Sequence, residues 1–212
     1  PSGRPVARVG RFFIPADSPN MVESKSFKLY LNSLNSVSFG SDTEAHARIV
    51  ADVSAVTGAE VKLELCRPDE PALAGTPLPG TCLDEQPLTI RADAPDPVLL
   101  ECLADSAEQQ YYTHLLRSLC PVTGQPDWAS VHIHSRGPRM VAPSLLSYII
   151  AFRRHQEFHE QCVERIFVDI LERCEPEFLQ VQAFYTRRGG LDINPMRSTR
   201  RDARPLPRLD RQ

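Results

Sequence analysis

Leu115-Leu116-Arg117-Ser118-Leu119-Cys120-Pro121-Val122-Thr123-Gly124-Gln125-Pro126-Asp127-Trp128 is the stretch on which the fold turns. An apolar run ends at Leu119, a turn punctuated by Pro and Gly follows, and Val131-His132-Ile133-His134 resumes as an alternating segment. The pattern predicts two strands joined by a turn, over 111–119 and 129–135. It puts a thiol, Cys120, and a carboxylate, Asp127, at the ends of neighbouring strands, with the only tryptophan beside the acid. A thiolate is a strong nucleophile, and a nearby acid can carry the proton its attack requires. Taken alone, a small core cysteine and a turn aspartate are the plainer account.

Downstream, Leu145, Tyr148, Ile149 and Phe152 recur at helical spacing within 143–154, and Cys162, Ile166, Val168, Ile170 and Leu171 within 157–174. Residues 178–185 and 191–194 read as closing strands, with Gly189-Gly190 as a hairpin turn. The Arg/Pro-rich residues 198–212 read as a surface tail.

Upstream, 5–14 reads as a strand. Phe27, Tyr30, Leu31 and Leu34 mark a helix over 23–37. Ser41-Asp42 with Glu44 resembles a capped start for a second helix, which Gly58 ends. Val61, Leu63 and Leu65 alternate in a strand over 60–66, and 86–92 read as another.

The second half is therefore β-β-α-α-β-β. The first shows β-α-α-β-β and lacks an opening strand. The expected fold class is α+β: two copies of one unit, each an antiparallel sheet with two helices on one face. The copies span 1–104 and 105–199, with a tail over 200–212. Such a sheet leaves its other face and its edges to be covered, so a homodimer or higher homo-oligomer is expected.

A chain of 212 residues suffices for one large domain or two small ones. A net charge of −3 argues against a nucleic-acid binder. No apolar run approaches the roughly 18 residues that cross a membrane, and no signal peptide is visible. The chain opens on Pro1 rather than Met, which predicts a missing N-terminal piece. Six cysteines without a C-x-x-C pair predict reduced thiols and a cytoplasmic setting. Of 24 basic residues only Lys25, Lys28 and Lys62 are lysine. Two of these compact ammonium groups fall within Glu23-Ser24-Lys25-Ser26-Phe27-Lys28, where they suit a phosphate.

ESKSFKLY at 23–30, CPVTGQPDW at 120–128, EFHEQCVERI at 157–166 and YTRRGGLDINPMRS at 185–198 together resemble the NADPH-dependent 7-cyano-7-deazaguanine reductases, in their longer, two-module form. The resemblance runs over nearly the whole chain. It implies tunnelling-fold units with sites at their interfaces, and reduction of a nitrile to a primary amine with two NADPH, in queuosine biosynthesis for transfer RNA.

Residue by residue, the resemblance makes Cys120 the nucleophile that forms a thioimidate and Asp127 the proton carrier. Glu23 and Glu160 become the readers of the 7-deazaguanine base, since a carboxylate accepts two N–H donors in a fork. Val22, Ser24, Phe158 and His159 join them at the substrate. Ser24, Lys25 and Lys28, with Arg188 and Gly189 of the RRGG turn, are expected at NADPH. No G-x-G-x-x-G follows a strand, so a Rossmann site is not expected. His155, His159 and Cys162 have spacing that could suggest a metal, but no H-E-x-x-H pattern completes it, and none is expected. Two other accounts stay open: a cyclohydrolase or aldol-type pterin enzyme of the same fold, and a non-catalytic purine-binding module.

Overall fold

The computed structural model describes residues 5–88 and 92–212. The chain divides into two compact units, Pro1–Ala74 with Arg188–Leu191, and Gly75–Arg187 with Asp192–Gln212. The stretch 75–104, expected in the first copy, belongs to the second unit.

In the first unit, strand β1 (Val9–Phe13) pairs antiparallel with β2 (Lys62–Cys66), Val9 opposite Cys66. Between them lie helix α1 (Ser24–Ser33), continued by a 3-10 turn at Leu34–Ser36, and helix α2 (Asp42–Thr57). Phe27 of α1 meets Phe12 of β1 edge-on, ring centres 4.9 Å apart. The Ser41 hydroxyl accepts from the Glu44 amide at 3.1 Å and starts α2, and Gly58 ends it, as the sequence pattern predicts. Val53, Val61 and Leu63 are buried, a small core for so much backbone.

The second unit carries the larger core. Strands β4 (Cys102–Leu119) and β5 (Pro126–Met140) form a long antiparallel hairpin, and β6 (Phe178–Tyr185) and β7 (Met196–Ser198) extend it. A two-residue strand, β3 (Thr81–Cys82), adds in parallel to β4, giving the order β3-β4-β5-β6-β7. Helices α3 (Ala142–Ile150) and α4 (His159–Cys174) follow β5, so β4 to β7 realise the β-β-α-α-β-β order. Alternation selects the face: Ala129, Val131 and Ile133 of β5 and Leu179, Val181 and Ala183 of β6 all point into one core. The helices present Leu145, Tyr148, Ile149, Cys162, Val163, Ile166 and Ile170 to it. Each fully buried large aliphatic side chain contributes roughly 1.5–3 kcal/mol, so this layer contact holds the unit together.

Several expectations need correction. The hairpin strands run well beyond 111–119 and 129–135. Residues 191–194 form no strand. Instead Tyr185 and Ala183 donate to the carbonyls of Ile193 and Pro195, and since Pro195 has no N–H, a regular ladder begins only at Met196. In the expected strand at 86–92, residues 86–88 are irregular and 89–91 lie outside the described residues. Val168 is only half-buried, while Asp169 is buried and accepts from the Tyr148 hydroxyl at 2.6 Å. The segment after 200 crosses the sheet. Gln180 and Gln182 donate side-chain N–H to the carbonyls of Arg204 and Leu206, and Leu206 and Leu209 join Leu78, Phe184 and Tyr112.

The cysteines are not all free. Cys102, at the start of β4, is bonded to Cys174, the last residue of α4, leaving Cys66, Cys82, Cys120 and Cys162 as thiols. The denatured chain should take up four alkyl groups without reductant and six after reduction. Six in both states, read by intact mass, would mean that the bond does not form.

Glu23 caps α1. Its carboxylate accepts from the amides of Lys25 and Ser26, both at 2.8 Å, and from the Ser26 hydroxyl. The Lys25 amide, opposed by slight desolvation and helped by Ser26, holds this carboxyl below its ordinary value of 4.5. A carboxyl lowered on folding stabilises above its unfolded pKa and loses that contribution as pH falls through the folded one. Glu23→Ala should therefore lower stability by roughly 0.5–1 kcal/mol at neutral pH, a capping effect discounted for exposure. Urea titrations should show the gap closing below pH 4.5. An equal gap at acid and neutral pH would remove the cap from the account.

Candidate active site

The site is built where the hairpin turns. Ser118 pairs with Asp127 across β4 and β5, and Leu119 with Pro126. Cys120 follows, and its amide donates to the Gln125 carbonyl at 2.8 Å while its own carbonyl accepts from Gly124 at 2.9 Å. Gly124 sits at φ +67°, where a side chain is strained, so a glycine lets the turn close this tightly. The Leu119 amide donates to the His155 carbonyl at 2.8 Å, tying the turn to the segment that leads into α4.

That tie sets the start of α4 over the hairpin end. Phe158 is its N-cap, with the Gln161 side chain accepting from the Phe158 amide at 3.2 Å. His159 and Glu160 follow in the first turn. Nε2 of His159 lies 3.2 Å from Oδ2 of Asp127, with both side chains largely buried. Cys120 is 6% exposed and Asp127 7%, so both are shielded from bulk water. Trp128, one residue on, is 48% exposed because alternation turns it to the opposite side of β5.

Two glutamates at this helix start have different fates. Glu157 is committed: it meets His155 Nε2 at 2.9 Å and Arg165 at 2.8 Å. Burial works against its charge, yet Arg165 and His155 together hold its carboxyl below the usual range. Glu160 is half-buried and makes no hydrogen bond or ion pair among the described residues. It also sits where the helix dipole favours an anion. A carboxylate so placed can accept two donors from a planar ligand.

The structure brings three further residues to this place. The Tyr185 ring stacks on the His159 ring, centres 3.8 Å apart and planes 13° from parallel. The Tyr185 hydroxyl neighbours Ser118 and Cys162 in the interior. Burial pushes the Tyr185 hydroxyl well above its ordinary value and the Cys162 thiol up to about 11, so both stay protonated. Sequence reasoning did not single out Tyr185, although it opens the motif YTRRGGLDINPMRS. The one available signal was an aromatic residue at the inward phase of a strand end.

The remaining expected residues belong to the first unit. Val22 and Ser24 are half-buried, and Glu23, Lys25 and Lys28 are exposed around the start of α1. The capping bonds of Glu23 occupy both its oxygens. The Lys25 ammonium acts electrostatically on the Glu23 carboxylate, and Lys28 forms no ion pair among the described residues. The Gly189 turn packs on Lys28: a Cβ added there would lie 3.1 Å from Cδ and 3.4 Å from Nζ. Thus Lys28 and Gly189, far apart in sequence, meet, with Arg188 adjoining. An ammonium group against a turn whose glycine carries no side chain suits an anionic group.

No helix among the described residues is long and apolar enough to cross a membrane. A family model described as "QueF-like protein" matches residues 126–204. A second, "Nitrile reductase, 7-cyano-7-deazaguanine-reductase N-term", matches residues 1–65. The NADPH-dependent 7-cyano-7-deazaguanine reductase of Chromohalobacter salexigens is 48% identical over 211 residues, covering 99% of this chain and 76% of that protein. A crystal structure of the archaeosine synthase QueF-Like in the apo form aligns with a TM-score of 0.38 at 14% identity, covering 44% of this chain and 91% of the other. With nearly half its residues shared along almost its full length, this chain belongs to the family of NADPH-dependent 7-cyano-7-deazaguanine reductases.

Proposed function

We propose that the protein reduces the nitrile of 7-cyano-7-deazaguanine to the primary amine 7-aminomethyl-7-deazaguanine, with Cys120 as the covalent nucleophile. The observation that carries this is a shielded thiol at one end of a hairpin turn and, at the other, a shielded Asp127 in contact with His159.

A nitrile carbon accepts hydride poorly but accepts sulfur readily. Cys120 Sγ adds to it, and the carbon–nitrogen triple bond becomes a double bond. The thiol proton passes to the nitrile nitrogen through Asp127, which His159 Nε2 orients. The product of this step is a thioimidate on Cys120. When the carbon–sulfur bond later breaks, its electron pair returns to sulfur. Taking nitrile to amine consumes two hydrides and two protons, and NADPH is the hydride source when bound. Ser24, Lys25 and Lys28 would hold its phosphates, with Arg188 and Gly189 at another part of the molecule. Glu160 reads the donor edge of the base, and Phe158 packs beside it. Val22 and Glu23 complete the substrate set. The capping bonds of Glu23 still leave lone pairs on its oxygens.

The same proposal places the protein in the cytoplasm, in queuosine biosynthesis for transfer RNA, with no direct nucleic-acid contact, and as a homodimer or larger homo-oligomer.

Incubation with 7-cyano-7-deazaguanine tests the chemistry. A thioimidate should appear as a new absorbance band and a mass increase, absent in Cys120→Ala. No adduct on the parent protein would overturn the proposal. Asp127→Asn should slow adduct formation by about 10²–10⁴-fold, as for loss of a general acid/base, while changing substrate affinity little. Stopped-flow rates equal to the parent's would remove Asp127 from that role. Glu160→Leu should weaken binding of the base yet leave Cys120 reactive toward iodoacetamide. Unchanged affinity by calorimetry would rule out Glu160 as the reader.

A further inference from the structure

We propose that Tyr185 is a positioning residue of this site, its ring serving as the platform that keeps the His159 imidazole aimed at Asp127. The proposal rests on the catalytic role given above to Asp127 and its partner His159.

His159 is the first residue of α4, and the Leu119–His155 and Phe158–Gln161 bonds fix its backbone but not its side chain. An imidazole there can swing about two side-chain torsions. Two contacts fix it: Asp127 Oδ2 lies 3.2 Å from Nε2, and the Tyr185 ring stacks on the imidazole with centres 3.8 Å apart. A single polar contact at one ring nitrogen leaves the ring free to rotate about the N···O axis. A near-parallel aromatic face removes that freedom, because rotation would drive the imidazole edge into the platform.

The platform is itself immobilised. Tyr185 is 1% exposed at the end of β6, opposite Ala129 of β5. Its amide donates to the Ile193 carbonyl at 3.3 Å, and its carbonyl accepts from the Gln212 side chain at 3.1 Å. Its hydroxyl lies in the interior near Ser118 and Cys162, with the Asp127 charge also acting on it. It is the ring face that touches the imidazole, so the ring face does the positioning and the hydroxyl is expendable.

Two measurements test this. Diethyl pyrocarbonate labelling of His159, followed by peptide mass, needs no substrate. Labelling should accelerate in Tyr185→Leu and match the parent in Tyr185→Phe, and equal rates in all three proteins overturn the proposal. The second is a double-mutant cycle on thioimidate formation. Tyr185→Leu should slow the adduct step by about ten- to a hundredfold, the usual penalty for a misplaced group, while Tyr185→Phe stays close to the parent. In a His159→Ala background Tyr185→Leu should add no further loss. The same loss in both backgrounds would mark Tyr185 as structural only. Should Tyr185→Leu not fold, Tyr185→Met, a flexible filler of similar volume, carries the same comparisons. If the parent itself forms no adduct, the functional proposal fails and the labelling result still decides the platform.

Discussion

The register of β4 against β5 is the constraint on which the site depends. With Ser118 opposite Asp127, the carboxylate falls on the same side of the sheet as Ala129 and Val131, facing the helix layer. A slip by one residue would send Asp127 to the other side and bring Trp128 inward. Register is held at two places: by the turn at Gly124, and by the buried alternation further along β5. Neither would suffice alone, since a tight turn tolerates several strand phases and a core face is indifferent to what lies beyond its edge.

The second layer of constraint is the start of α4. The Leu119 amide bonded to the His155 carbonyl fixes where the helix begins relative to the turn. From that bond follows the approach of His159 to Asp127, with Glu160 next along the helix. The disulfide between Cys102 and Cys174 ties the far ends of the same two elements. The strand that leads to Cys120 and the helix that carries Glu160 are thus joined at both extremities.

Much of this was legible in the sequence, for physical reasons. Apolar spacing is strong in 143–154 and 157–174, and Ser41 and Gly58 are unambiguous helix ends. The Pro/Gly turn between Cys120 and Asp127 is the turn that joins β4 to β5. What escaped was of two kinds. Strand length escaped, because the outer parts of β4 and β5 carry polar residues such as Asp105, Glu108 and Arg139 that show no alternation. Tertiary pairing escaped too. Nothing local indicates that Cys102 meets Cys174, that Gln180 and Gln182 bind the backbone of 204–206, or that Tyr185 lies under His159. Leu191–Asn194 misled because its apolar residues suggested a strand, while Pro195 prevents the ladder from starting there.

Because alternation leaves Trp128 half in solvent on the strand that supplies the acid, the protein contains a built-in optical reporter. No second indole competes with its emission. Intrinsic fluorescence therefore follows one defined spot, the opening of β5, and can register events at the hairpin end without an added dye.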